Sequence, residues 1–145
     1  MLLACQILFL DFWHNSSHLD CPKILIINLT NYAWEINSGF AGKYFKGESY
    51  LDQRNYWITE RNERAIWYFQ GRWVVGSMDG LGTGVFGISS TVNDLDADCP
   101  TNINDIWEVY NGSAMIKTTD MKVRGKFLGN QILIYRYKHI PLILL

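Results

Sequence analysis

Histidine is scarce in this chain, and its placement excludes more than its number does. His14, His18 and His139 all lie outside the central stretch from residue 20 to residue 125. No Ser-His or Cys-His nucleophile can be assembled within that stretch, nor a zinc site of His and Cys spacing. An excess of either charge is missing too. Thirteen Lys and Arg against fourteen Asp and Glu leave a formal net charge of -1, and the cations are scattered along the sequence without a stripe. That balance gives no field to attract nucleic acid or an anionic membrane. No run of about 18 or more apolar residues occurs, so no ordinary membrane-spanning helix is expected. The closing ILIYRYKHIPLILL is apolar but is broken by Arg136, Lys138, His139 and Pro141.

Long helices are absent from the pattern as well. No segment sustains apolar residues at three- and four-residue spacing, so helices should be few and short. What is present is an aromatic content of 14% and twelve glycines beside only three prolines. That mixture favours short strands joined by glycine turns. Strand-like runs fall at Lys23 to Leu29, Lys43 to Lys46, Asn55 to Thr59, Ala65 to Phe69, Arg72 to Gly76, Val85 to Ser90, Ile106 to Tyr110, Ala114 to Thr118 and Met121 to Arg124. Gln70-Gly71 and Asn111-Gly112 read as tight hairpin turns. The expected fold is all-β, a small antiparallel meander in a single sheet or compact sandwich.

Four large rings crowd AIWYFQGRWVVG, residues Ala65 to Gly76. On a strand, Ile66 and Tyr68 share one face while Ala65, Trp67 and Phe69 share the other. Rings on both faces predict a central hairpin covered on each side, with Trp67, Phe69 and Trp73 in the core. Trp57, Tyr68, Tyr56 and Tyr110 are the rings expected to reach the surface, where they can stack on a sugar face.

Cys21 and Cys99 each precede a proline near a segment boundary. Paired, they pin the entry and exit of the module and close a long loop; unpaired, they are two buried thiols of an intracellular protein. Asn15, Asn28 and Asn111 each begin a glycosylation triplet, which belongs with a secreted chain. The ends read unlike the middle. Residues 1–19 form either a weak signal peptide, with Leu2 to Leu10 as its apolar part, or translated intron sequence. Residues 126–145 form an apolar tail open to the same second reading, since Gly125-Lys126-Phe127 can be encoded by GGT AAG TTT. Residues 20–125 are the folded module on either account.

Two motifs spell chemistry without its context. Gly82-Thr83-Gly84-Val85-Phe86-Gly87 matches a nucleotide-binding loop, but the β-prone Ile88 to Val92 follows where a helix must present its N-terminus. Asp94, Asp96 and Asp98 alternate like calcium ligands, yet glycine at the sixth position and glutamate at the twelfth are missing. They are weak metal candidates at most. Glu35, Glu48, Asp52, Glu60 and Asp79 show no pairing that points to hydrolysis. No catalytic residue and no cofactor is expected.

Cys21-Pro22, Gly42-Lys-Tyr44, Asn55-Tyr-Trp57, Ile66-Trp-Tyr68, Trp73-Val-Val-Gly76, Cys99-Pro100, Trp107 and Val123 follow one another in a distinctive order. In this the chain resembles a cysteine-, tryptophan- and glycine-punctuated module of similar size. That module recurs, often in tandem, in large extracellular and receptor proteins of protists and simple animals. It usually ends Val-x-Cys, whereas this chain reads Val123-Arg124-Gly125. The resemblance implies an extracellular adhesion, interaction or spacer unit without catalysis. Its neighbours in a parent ectodomain, or a protein or glycan ligand, would be its partners, and nucleic acid would not.

Overall fold

The computed structural model describes residues 20–91, 97–103 and 106–127. Among them, nine strands form one antiparallel sheet: β1 (Ile24–Leu29), β2 (Gly42–Lys46), β3 (Trp57–Ile58), β4 (Arg64–Phe69), β5 (Arg72–Ser77), β6 (Ile88–Ser90), β7 (Trp107–Tyr110), β8 (Met115–Thr118) and β9 (Met121–Lys126). Their order across the sheet is β8-β7-β6-β5-β4-β3-β2-β1-β9. The all-β meander is therefore what the chain forms. The step from β8 to β9 is the exception to nearest-neighbour pairing.

That step curls the sheet. Every neighbouring pair is antiparallel, so β8 and β9, at opposite ends of the order, run in the same direction. Only Thr119 and Asp120 separate them. One bent segment thus pairs with β7 through its first half and with β1 through its second. The two margins are drawn together into a half-closed barrel, with β8 and β9 remaining its edge strands.

Strand alternation then sorts the side chains. Leu25, Ile27, Tyr44, Trp57, Ile66, Trp73, Val75, Ile88, Trp107, Val109 and Met121 pack together inside. Four of these rings, Tyr44, Trp57, Trp73 and Trp107, are almost wholly buried, so side chains fill the interior as in small barrels. A second cluster lies on the outer face of the central hairpin. Ala65, Trp67 and Val74 are covered there by Leu51, Tyr56, Ile58, Phe69, Met78, Leu81 and Phe86. Both faces of the hairpin are thus buried, Trp67 and Trp73 completely and Phe69 partly.

The β4–β5 turn forms at Gln70-Gly71 as the sequence predicts, with φ of 46° and 84°. The second hairpin is longer than a two-residue turn. Tyr110 pairs with Met115, leaving Asn111 to Ala114 as the loop. There the Asn111 side-chain oxygen accepts the backbone N–H groups of Ser113 (3.0 Å) and Ala114 (2.9 Å). Asparagine's habit of bonding the backbone just ahead stabilises this wider loop.

One short helix, α1 (Asn31–Asn37), follows β1. Its two turns are marginal alone, and tertiary bonds hold it across the barrel's end. Asn31 donates to the Asp120 carboxylate at 3.1 Å, Asn37 donates to the Tyr110 carbonyl at 3.2 Å, and Ala33 is buried.

The glycine-rich stretch after β5 makes one 3-10 turn at Met78–Gly80 and folds over the outer cluster, and no helix follows Gly82 before β6. Gly76 shows why small residues are needed there. A Cβ at this position would stand 2.7 Å from the Trp67 ring and 3.0 Å from the Val85 carbonyl oxygen. We expect Gly76→Ala to destabilise the fold by about 1–3 kcal/mol through overpacking. A thermal melt that shows no loss would mean the loop over Trp67 yields freely.

Candidate functional site

Opposite the α1 end, Cys21 ahead of β1 and Cys99 between β6 and β7 form a disulfide, with Cα atoms 5.7 Å apart. Beside it opens a cleft of about 410 Å³ lined by Cys21, Tyr50, Asp52, Gln53, Arg54, Asn55 and Asp98. Arg54 links the cleft to a group of core rings. Trp57 meets Trp73 edge-on at 5.7 Å, Trp73 meets Tyr68 edge-on at 5.3 Å, and the Arg54 guanidinium lies 4.0 Å over the Tyr68 ring. Edge-on rings and a cation on a ring face are both favourable electrostatic arrangements.

Arg54 also ties these rings to the disulfide loop. Its Nη1 donates to the Ala97 carbonyl at 3.1 Å and to Asp98 at 3.4 Å. The Trp73 indole N–H donates to the same Ala97 carbonyl at 2.8 Å. Trp57 donates to the Pro22 carbonyl at 2.8 Å, next to Cys21. Indole and guanidinium donors thus position both chain segments that carry the cysteines.

The rim is a reversed turn. Leu51 and Arg54 exchange backbone hydrogen bonds of 2.9 and 3.0 Å, with Asp52 and Gln53 between them at φ of 48° and 63°. Left-handed non-glycine residues cost on the order of 1 kcal/mol each, and such strain gathers at functional sites. The turn presents the exposed Asp52 and Gln53 side chains to solvent, next to a Tyr50 ring that is 71% exposed.

The rings named from sequence do not assemble into one platform. Trp57 has no exposed surface at all. Its inward position on β3 corrects its assignment as a surface ring. Tyr68 is half-buried beneath Arg54, so a cation already covers that ring face. Tyr56 is half-buried on the outer face, its hydroxyl 3.2 Å from that of Ser49. Tyr110 is exposed, but it lies near α1 at the far end of the barrel, where it donates to the Gly112 carbonyl at 2.9 Å. Sequence reasoning missed the more exposed rings, Tyr50 and Trp34. Tyr50 abuts a turn signal and Trp34 falls between strand-like runs, so period-two alternation placed neither.

Of the proposed metal ligands, Asp94 and Asp96 lie outside the described residues, and Asp98 is engaged by Arg54. Among the described residues no group of three or more His, Cys, Asp or Glu side chains could hold a metal ion. Asn15 lies outside the described residues as well. Asn28 is exposed on the outer face of β1, and Asn111 is exposed in the β7–β8 loop. Deeper in the barrel, burial pushes the Tyr44 phenol well above its ordinary range, against the opposing pull of Arg64. It therefore stays protonated and donates to the Phe40 carbonyl at 2.7 Å, a structural bond closing that end. No described helix is long and apolar enough to cross a membrane.

Comparison with protein-family models, curated proteins and solved structures finds no match to this chain.

Proposed function

We propose that this protein is a non-catalytic extracellular recognition module, one unit of a larger ectodomain, and that it meets its ligand at the cleft beside Cys21–Cys99. The cleft carries the proposal. An exposed ring and several hydrogen-bonding side chains converge there on a strained turn, beside Arg54, which is itself seated on the Tyr68 ring. Convergent polar groups beside an aromatic ring can fix the orientation of a bound ligand. The disulfide supports the compartment, since such bonds persist outside the reducing cytosol. A carbohydrate ligand is the second reading. It is favoured by the Tyr50 ring lying beside Asp52, Gln53 and Asn55, because a sugar offers both a stacking face and a ring of hydroxyls.

Binding of the fluorescent full chain to intact cells tests both readings. We expect Gln53→Arg, which fills the cleft, to abolish binding, and Tyr50→Ala to weaken it about tenfold. Tyr110→Ala, at the other end, should leave binding unchanged. Glycosidase treatment of the cells removes binding only if the ligand is a glycan. Undiminished binding of Gln53→Arg would exclude the cleft, and a chain that binds no cell surface would count against recognition.

A further inference from the structure

A stripe of cations that the linear sequence hides is assembled by strand register. On β9, Met121 and Val123 pack into the core, so Lys122, Arg124 and Lys126 project from the outer face. Next to β9 lies β1, whose outward residues Ile24, Ile26 and Asn28 stand opposite Lys126, Arg124 and Lys122 in turn. On the far side of β1, Lys43 of β2 pairs with Ile26 and Phe45 pairs with Ile24. Lys43 and Arg124 therefore flank Ile26 from both sides, about 10 Å apart across two strand spacings. Along β9 the cations recur about every 7 Å.

These three strands carry Lys43, Lys46, Lys122, Arg124 and Lys126, and not one carboxylate. Lys46 has inward parity and pairs with Asp20 at 3.5 Å. Among the described residues no carboxylate forms an ion pair with Lys43, Arg124 or Lys126. Carboxylates flank the stripe: Glu60 and Glu63 line a shallow hollow together with Lys43 and Arg61, and Glu48 lines another with Ile24 and Phe45. In a chain of formal charge -1, the strands of this face hold a local excess of positive charge.

Protection of a sheet margin explains cations on β9, since lysines there discourage pairing with another chain. It does not explain Lys43, two strands in. We propose that the outer face of β9, β1 and β2 binds a linear sulfated or carboxylated polysaccharide, held by Lys43, Lys122, Arg124 and Lys126. A flat row of cations at regular spacing fits a ligand whose anionic groups recur along an extended chain, and release of the polymer's counterions drives the association. The choice of polysaccharide over nucleic acid as the polyanion rests on the extracellular location proposed above. The β surface also offers no helix to enter a groove. The site is distinct from the cleft, so either proposal can fail alone.

The test uses the full chain made oxidised in a bacterial host, so that Asn28, opposite Lys122, bears no glycan. Heparin and dextran sulfate are titrated against it at several salt concentrations, with neutral dextran as the blank. We expect binding that weakens steeply with salt. Lys43→Ser/Arg124→Ser/Lys126→Ser should weaken it at least tenfold and lower the salt slope by about two to three. Lys117→Ser on β8 and Tyr50→Ala in the cleft should change nothing. A melting temperature close to the parent's shows that the triple variant is folded. Two single exposed variants, Lys43→Ser and Arg124→Ser, read the same surface if it is not. Unchanged affinity in the folded variants, an equal loss with Lys117→Ser, or equally tight binding to single-stranded DNA would overturn the proposal.

Discussion

Replacing Cys21 and Cys99 together by serine should lower the free energy of unfolding by about 4–5 kcal/mol. The two residues are 78 apart in sequence, and the loss of loop-closure entropy grows with the logarithm of that separation. For a core of this size, such a loss should lower the melting temperature by roughly 15–20 °C. Both sulfurs are buried in the main cluster, alongside Ala97 and Trp107. Single substitutions should therefore be no milder than the double one, because each leaves an unpaired thiol within the core. Denaturant titration of the parent, with and without reductant, checks the same quantity without mutation. A double variant as stable as the parent would show that the reduced chain already holds these segments together without the bond.

The bridge was legible in the sequence because prolines at 22 and 100 mark both cysteines as boundary residues. The strands were legible for a related reason. Alternation is a local property, and β4 and β5 display it within one hairpin. What joins distant segments was not local. Nothing near Thr119-Asp120 announces that β9 continues the direction of β8 and pairs with β1, because the partner strand lies at the other end of the chain. The basic face follows from that pairing, so the scattered cations of the sequence became a stripe only in three dimensions. Helix α1 escaped because its support comes from Asp120 and Tyr110, not from its own spacing. Trp57 was misplaced for the opposite reason: β3 is only two residues long. Its inward side is set by pairing with Ile66, which alternation within β3 alone cannot reveal.

Truncation of Trp73 is the second large effect, and it should not add simply to the first. Trp73 is wholly buried, touches Trp57 and Tyr68 edge-on, and holds the Ala97 carbonyl. Removing a ring of that size from a closed core costs about 3–5 kcal/mol, from lost transfer energy and the cavity left behind. Trp73→Phe separates the contributions. It keeps most of the packing and removes the indole N–H, but Ala97 still accepts from Arg54, so its carbonyl is not left bare. We expect Phe to cost about 1–2 kcal/mol, well below Ala. Equal costs for the two would place the stabilisation in the hydrogen bond instead of the ring. Ala97 lies two residues before Cys99, so Trp73 and the disulfide restrain the same segment by different means. A double-mutant cycle between Trp73→Ala and the serine pair should therefore give a coupling of about 0.5–3 kcal/mol. Additivity within about 0.5 kcal/mol would show that the ring stabilises the barrel interior alone, and that the disulfide restrains the Ala97 segment without help from Trp73.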